Sequence, residues 1–181
     1  MLKLKRVFFA IPLATDEQKL IQQAVTPLIT SMSADVRWLH PENWHITMRF
    51  LGGVDQSVID YMIQVAETAV KKLEKFTLTG IEIAGFPAEK SRMVAVYIKP
   101  NPILENLFQQ LDEAAVQSGL NREDRSFKPH ITLAKARHRI KSFDPIIFDK
   151  LHILIQELVL YESQPTKVGS HYIPLKKFTF T

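Results

Sequence analysis

The sequence contains no cysteine. This absence excludes disulfide bonds, thiolate nucleophiles and zinc or iron–sulfur centres held by cysteine. Any catalytic group must therefore be a histidine, a carboxylate, a lysine or a hydroxyl.

Long apolar runs are also missing. Val7–Ile11 is apolar and follows basic residues, as in a secretory signal, but Pro12 interrupts the run, and its β-branched and aromatic residues are typical of a buried strand. No other stretch is long enough to span a bilayer. We therefore expect a cytoplasmic protein with no membrane partner.

The chain has no low-complexity linker, so any two lobes must share a sheet and not be joined by a tether. The hydrophobic fraction of 46% is that of an ordinary globular protein. A formal charge of +4 makes a polyanion a plausible partner, although an excess this small is also found on many proteins that never bind nucleic acid.

Helical and strand-like patterns are mixed along the chain. Thr15 and Gln18 have the spacing of a capping box, which predicts a helix from about Asp16 to Thr30. A second amphipathic helix is predicted from about residue 58, and a third between Pro102 and Gly119. Strands are predicted at residues 7–11, 44–51, 76–86, 92–98, 127–134, 152–161 and 171–180, with turns at residues 87–91 and 163–169.

A four-residue pattern occurs twice. His45-Ile46-Thr47-Met48 and His130-Ile131-Thr132-Leu133 each lie in a predicted strand that follows a helix, about half a chain length apart. An ancient duplication with one motif in each half would account for this spacing. The two strands could then face each other across one cleft.

The His-x-Thr pattern suits phosphodiester chemistry. Side chains alternate along a strand, so each motif points one imidazole and one hydroxyl to the same side while its isoleucine points into the core. Two imidazoles can supply a base and an acid near neutral pH, and two hydroxyls can donate hydrogen bonds to phosphate oxygens. These groups can open a phosphodiester without a metal ion or another cofactor.

One such motif alone would indicate only a half-buried histidine. Two copies at equivalent places, each in an apolar strand where polar groups are costly to bury, favour a function. We expect no metal site, because the sequence has no His-x3-His pattern and no adjacent acidic cluster, and His40 and His138 are predicted to lie in loops.

Further candidate residues have ordinary structural alternatives. The basic residues between Asn121 and Lys141 could attract phosphate or form a solvated loop face. Arg49 has the alternation to share a face with His45, or it is the solvent end of its strand. Phe127 could stack on a base, although a core position is commoner for phenylalanine.

Taken together, these segments resemble the 2H phosphoesterase superfamily, and within it the RNA 2′,3′-cyclic phosphodiesterase family, historically called 2′-5′ RNA ligase. The resemblance covers nearly the whole chain and rests on four segments, Arg6–Ile11, Trp44–Gly52, Phe127–Lys135 and Leu160–Ser163 with Gly169 and Tyr172. Met48 stands where the family usually has leucine. Lys135 stands where it usually has a phosphate-binding arginine, which keeps the charge but loses the bidentate fork.

The resemblance implies a bilobal α+β fold over residues 1–181, a single domain of two intertwined, pseudo-symmetric lobes with antiparallel sheets around a central cleft and helices outside. It also implies hydrolysis of a terminal 2′,3′-cyclic phosphate on RNA or a nucleotide to a 2′-phosphomonoester. His130 would be the base and His45 the acid, while Thr47, Thr132 and Lys135 would bind the phosphate. A monomer is expected. Two alternatives stay open: reversible 2′-5′ RNA ligation, and a noncatalytic module that binds nucleotides or RNA.

Overall fold

The structure is a computed structural model that describes residues 4–32, 35–89, 91–167 and 169–181. Within these residues the α-helices are α1 (Thr15–Ser31), α2 (Gln56–Val70) and α3 (Pro102–Gln117), and a short 3-10 helix spans Pro41–Asn43. The strands are β1 (Lys5–Pro12), β2 (Val36–Trp38), β3 (His45–Val54), β4 (Phe76–Phe86), β5 (Met93–Ile98), β6 (His130–Ala136), β7 (Ile146–Ile155), β8 (Glu157–Thr166) and β9 (Gly169–Thr179).

The strands form one antiparallel sheet in the order β7-β4-β5-β6-β3-β1-β8-β9, and β2 pairs with β6 outside this path. The sheet has two four-stranded halves, which meet where β3 pairs with β6. Helices α2 and α3 pack together, with α3 against β3 and α2 against β9, while α1 packs against β7 of the other half. The predicted α+β fold with antiparallel strands is confirmed.

Local sequence sets the helix ends. Asn101 caps α3 by accepting hydrogen bonds from the backbone of Ile103 and Leu104, and Asp55 caps α2 by accepting one from Val58. The prediction that Thr15 and Gln18 form the capping box of α1 is wrong. Thr15 is the first helical residue, and the carboxylate of Glu17 accepts the N–H of Ala14 at 2.7 Å.

The C-terminal third differs most from the prediction. Residues 152–161 belong to two strands with Gln156 between them: β7, which pairs with β4, and β8, which pairs with β1 and β9. Ser163–Pro165 extends β8, although a turn was predicted there. Pro165 is tolerated because the pairing of β8 with β1 ends at Glu162, which leaves β9 as the partner of this segment.

Two predicted turns are only partly described, since Lys90 and Val168 lie outside the described residues. Strand β2 is three residues long and was not predicted, and β6 begins at His130 instead of residue 127. In the part of the chain that the structure describes, no helix is both long and apolar enough to cross a membrane.

Candidate active site

The two His-x-Thr motifs lie side by side where the halves of the sheet meet. Ile46 of β3 pairs with Ile131 of β6 in antiparallel register, and both isoleucines are fully buried. Continued by one residue on either side, this register sets His45 opposite Thr132 and Thr47 opposite His130. All four polar side chains then share the face opposite to the isoleucines.

Each motif is followed directly by an irregularity in its strand. Phe9 of β1 pairs with Arg49 and Ala10 with Thr47, so the register skips Met48. The pairing of β5 with β6 skips Leu133 in the same way, between Thr132 and Ala134. Such a bulge reverses the alternation of the residues that follow it. Phe50 and Lys135, each three residues after its threonine, therefore return to the face of the histidines.

Arg49 consequently does not share a face with His45. It is not the solvent end of its strand either, so both interpretations from the sequence are wrong. It is 6% exposed, and its Nε lies 2.8 Å from Oδ1 of Asp112 on α3, which is 4% exposed. Asp112 also accepts hydrogen bonds from Arg122 and from the backbone of Glu123. This buried cluster fastens β3 to α3 on the side of the sheet away from the histidines.

The ring of His45 is fixed by its neighbours. Nδ1 lies 2.7 Å from the carbonyl oxygen of Asn43, and Nε2 lies 3.1 Å from Oγ1 of Thr47. The rings of Phe8 and Tyr172 pack against the imidazole at centroid distances of 5.2 and 5.4 Å. The pKa of His45 is lowered to about 4. Burial is the main cause and the positive charges of Lys135 and His130 add to it, while the hydrogen bond to Asn43 acts to raise the pKa.

His130 has an equivalent environment. Its Nδ1 lies 2.8 Å from the carbonyl oxygen of Lys128, and its ring stacks on Phe86 with a centroid distance of 3.8 Å. Burial lowers the pKa of His130, the hydrogen bond to Lys128 opposes this, and the charges of Lys135 and Arg125 add to the lowering. In both histidines, Nδ1 thus lies beside the carbonyl oxygen of the residue two positions earlier. A neutral ring that donates from Nδ1 carries its lone pair on Nε2.

A cleft of about 330 Å³ opens over this face. Its lining includes all three predicted phosphate-binding residues together with His45 but not His130, and no carboxylate is among the described residues that form it. The lining residues are Arg6, Phe8, Leu39, His45, Thr47, Phe50, Thr132, Lys135, Ser163, Pro165, Ser170 and Tyr172. The cationic and hydroxyl groups of this lining suit an anion.

Several residues of the site were not predicted as such. Arg6 and Phe8 are two apart in β1, so strand alternation could have placed them on one face. Ser163 and Ser170 reach the cleft because β8 and β9 continue as a hairpin beside it. Phe86, which supports His130, comes from the distant β4 and leaves no local signal in the sequence.

Other candidate residues have structural roles. Phe127 stacks on Phe108 at 4.5 Å and packs against the core. Arg122 and Arg125 are paired with carboxylates, of Asp112 and Glu113 for the first and of Glu123 for the second. Among the described residues, no three His, Asp or Glu side chains are grouped so as to hold a metal ion.

The comparisons with known proteins agree with one another. The family described as the 2′-5′ RNA ligase superfamily matches residues 19–164. A Bacillus subtilis protein named RNA 2′,3′-cyclic phosphodiesterase is 28% identical over 131 residues, which is 71% of this chain and 69% of the relative. An Escherichia coli protein of the same name is 28% identical over 179 residues, or 98% and 97% of the two chains. The crystal structure of E. coli LigT complexed with 3′-AMP superposes with a TM-score of 0.81 at 25% identity, covering 98% of this chain and 99% of that one.

Proposed function

The chain belongs to the 2′-5′ RNA ligase superfamily, and on this basis we propose that it hydrolyses a terminal 2′,3′-cyclic phosphate on RNA to a 2′-phosphomonoester. The observation that carries the proposal is the juxtaposition of two His-x-Thr motifs through the Ile46–Ile131 pair, beside a cationic cleft that His45, Thr47 and Thr132 line. The relatives named RNA 2′,3′-cyclic phosphodiesterase support the choice of substrate.

The proposed reaction is a single displacement at phosphorus. Nε2 of His130 takes a proton from water, and the water oxygen forms a bond to phosphorus. The bond between phosphorus and the 3′ oxygen breaks, and Nε2 of His45 gives its proton to that oxygen. The products are a 3′ hydroxyl and a 2′-phosphomonoester. The assignment of acid and base follows the family resemblance.

The acid role of His45 requires that substrate change its protonation. In the free site its pKa is about 4, so the ring is neutral at pH 7. A bound phosphate places a negative charge beside the imidazole, and an opposite charge at this distance raises the pKa of a histidine. Substrate binding should therefore bring a proton onto the ring that later donates it.

Thr47, Thr132 and Lys135 are the proposed phosphate ligands. The hydroxyls lie beside the imidazoles on the same face and can donate to nonbridging oxygens, whose charge increases in the transition state. Lys135 supplies a positive charge at the wall of the cleft. The lysine acts as a point charge and does not form the bidentate fork of an arginine.

The test is incubation with adenosine 2′,3′-cyclic phosphate in the presence of EDTA, followed by separation of 2′-AMP from 3′-AMP. We expect 2′-AMP at an undiminished rate, because the catalytic groups are imidazoles and the phosphate ligands are hydroxyls and a cation. Loss of turnover in EDTA with recovery on adding a divalent ion would contradict the metal-independent mechanism. Formation of 3′-AMP would contradict the proposed leaving group.

Reversible 2′-5′ ligation is the second candidate, because the reverse reaction uses the same acid and base and the superfamily carries that name. RNA fragments ending in a cyclic phosphate and in a 5′ hydroxyl distinguish the two: ligation lengthens the RNA, and hydrolysis does not. A noncatalytic binding module would bind these fragments unchanged. The monomeric state and the cytoplasmic location stay predictions.

A further inference from the structure

The cleft is surrounded by more positive charge than a cyclic phosphate needs. Arg6 and Lys135 line it, and Arg37 is the cross-strand partner of Lys135 in the pairing of β2 with β6. The hairpin of β8 and β9 reaches the same place, since a Cβ at Gly169 would lie 3.7 Å from Nη1 of Arg37. Arg37 is therefore at the mouth of the cleft, between β6 and the start of β9.

These three cations have no carboxylate partner among the described residues, whereas neighbouring basic residues do. Lys5 pairs with Glu162, and Arg125 with Glu123, but no carboxylate oxygen of the described chain lies within 4.0 Å of Arg6, Arg37 or Lys135. The guanidinium of Arg6 lies over the ring of Phe50, 5.0 Å from its centroid. Unpaired cations around a concave site attract anionic ligands.

Tyr172 relates the two arginines to each other. Its ring packs against Phe8 and His45 in the cleft, and burial raises the pKa of its hydroxyl. The charges of Arg37 and Arg6 both act to lower that pKa, so both guanidinium groups act electrostatically on the hydroxyl of Tyr172. A ligand bound between the histidines and Tyr172 would be within reach of both groups.

We propose that Arg37, assisted by Arg6, binds a second phosphate of the substrate, the one on the 5′ oxygen of the terminal nucleoside. The inference rests on the proposed function. A cyclic phosphate carries one negative charge, which Lys135 can neutralise, so the two guanidinium groups are left for another anion. In an RNA chain the next anion is this phosphate, and a guanidinium fork matches its oxygens.

The same phosphate could belong to an internal linkage of RNA or to a 5′-phosphorylated mononucleotide. Four substrates separate these sources. They are adenosine 2′,3′-cyclic phosphate, its 5′-phosphorylated form, the dinucleotide ending in the cyclic phosphate, and the same dinucleotide with an uncharged methylphosphonate linkage. All four present the same cyclic phosphate to the histidines.

The wild-type enzyme should hydrolyse the phosphodiester-linked dinucleotide with a kcat/KM about tenfold higher than the methylphosphonate form, the lower range of one charge-assisted hydrogen bond. Arg37→Gln should reduce this ratio to about one. The matched control is Arg139→Gln, which removes the same charge from an exposed loop residue that lines a separate cavity beside α1. The control should keep the tenfold ratio.

An equal gain with the 5′-phosphorylated mononucleotide supports a subsite that recognises the phosphate itself. A wild-type ratio near one, or an equal loss in the Arg37 and Arg139 variants, would overturn the inference while hydrolysis of the cyclic phosphate continued. A gain for both dinucleotides regardless of linkage charge would also overturn it, because the second nucleoside would then make the contact. If the wild-type enzyme hydrolysed none of the four substrates, the proposed function itself would be refuted.

Discussion

Met48 and Leu133 occupy equivalent places in the two halves of the sheet: each is the residue that the strand pairing skips directly after a His-x-Thr motif. Both are buried, at 2% and 0% exposure. Their bulges turn Phe50 and Lys135 back toward the cleft. The repeat thus extends beyond four residues and includes the backbone geometry that brings Lys135 to the histidines.

The position of Lys135 leads to a prediction about pH. Both histidine pKa values lie below the usual 6.5, that of His45 at about 4, so the rate that needs one neutral and one protonated ring should peak between them. The kcat/KM profile, which reports the free enzyme, should therefore be a bell with its maximum below pH 6.5. The kcat profile should lie at higher pH, since the negative charge of bound phosphate raises the pKa of both histidines.

Removal of the lysine charge tests the cause of this shift. Lys135 lowers the pKa of both histidines, so Lys135→Gln should move the whole kcat/KM bell to higher pH while it weakens substrate binding. Lys141→Gln, in the exposed loop, serves as the control and should leave the bell in place. A profile of kcat/KM that keeps rising above pH 7 in the wild type would contradict the pairing of one neutral with one protonated imidazole.

The threonines should matter less than the histidines. Each hydroxyl contributes one hydrogen bond to a charged phosphate, which is worth roughly 1.5 to 3 kcal/mol. Thr47→Ala or Thr132→Ala should therefore slow hydrolysis by about one to two orders of magnitude. Thr→Ser at either position keeps the hydroxyl and should recover most of the rate. If both alanine variants turned over at wild-type rates, the hydroxyls would have no part in the site.

The buried ion pair behind the site should control stability. Asp112→Ala leaves the guanidinium of Arg49 buried without its closest carboxylate, and breaking a buried pair in this way costs about 3 to 5 kcal/mol in the free energy of unfolding. Urea unfolding measures the loss. Glu113→Ala is the control on the same helix, because it removes only an exposed partner of Arg122 and should cost less than about 1 kcal/mol. Equal losses in the two variants would show that burial of the pair is unimportant.

The sequence predicted some of these features and not others for physical reasons. The helices and the two motif strands follow from local periodicity and from turn residues, and the repeat of His-x-Thr singles out both histidines. A bulge forms between two particular paired strands and cannot be located from one strand alone. Strand alternation without the bulge at Met48 therefore placed Arg49 on the wrong face. The boundary between β7 and β8 separates residues that pair with β4 from residues that pair with β1 and β9, and this change of partner involves distant segments. The support of His130 by Phe86 is likewise tertiary.

The histidines themselves provide the most direct test. His45→Ala and His130→Ala should each reduce the rate by about two to four orders of magnitude, the range for a lost general acid or base. The double variant should be little slower than the slower single variant, because groups that act as a unit in one transition state are not additive. Each single variant should still fold and bind 2′-AMP with reduced affinity, since Thr47, Thr132 and Lys135 remain, and circular dichroism with a binding titration checks this. Near-normal hydrolysis by either folded single variant would refute two-histidine catalysis and leave that residue as a half-buried structural histidine.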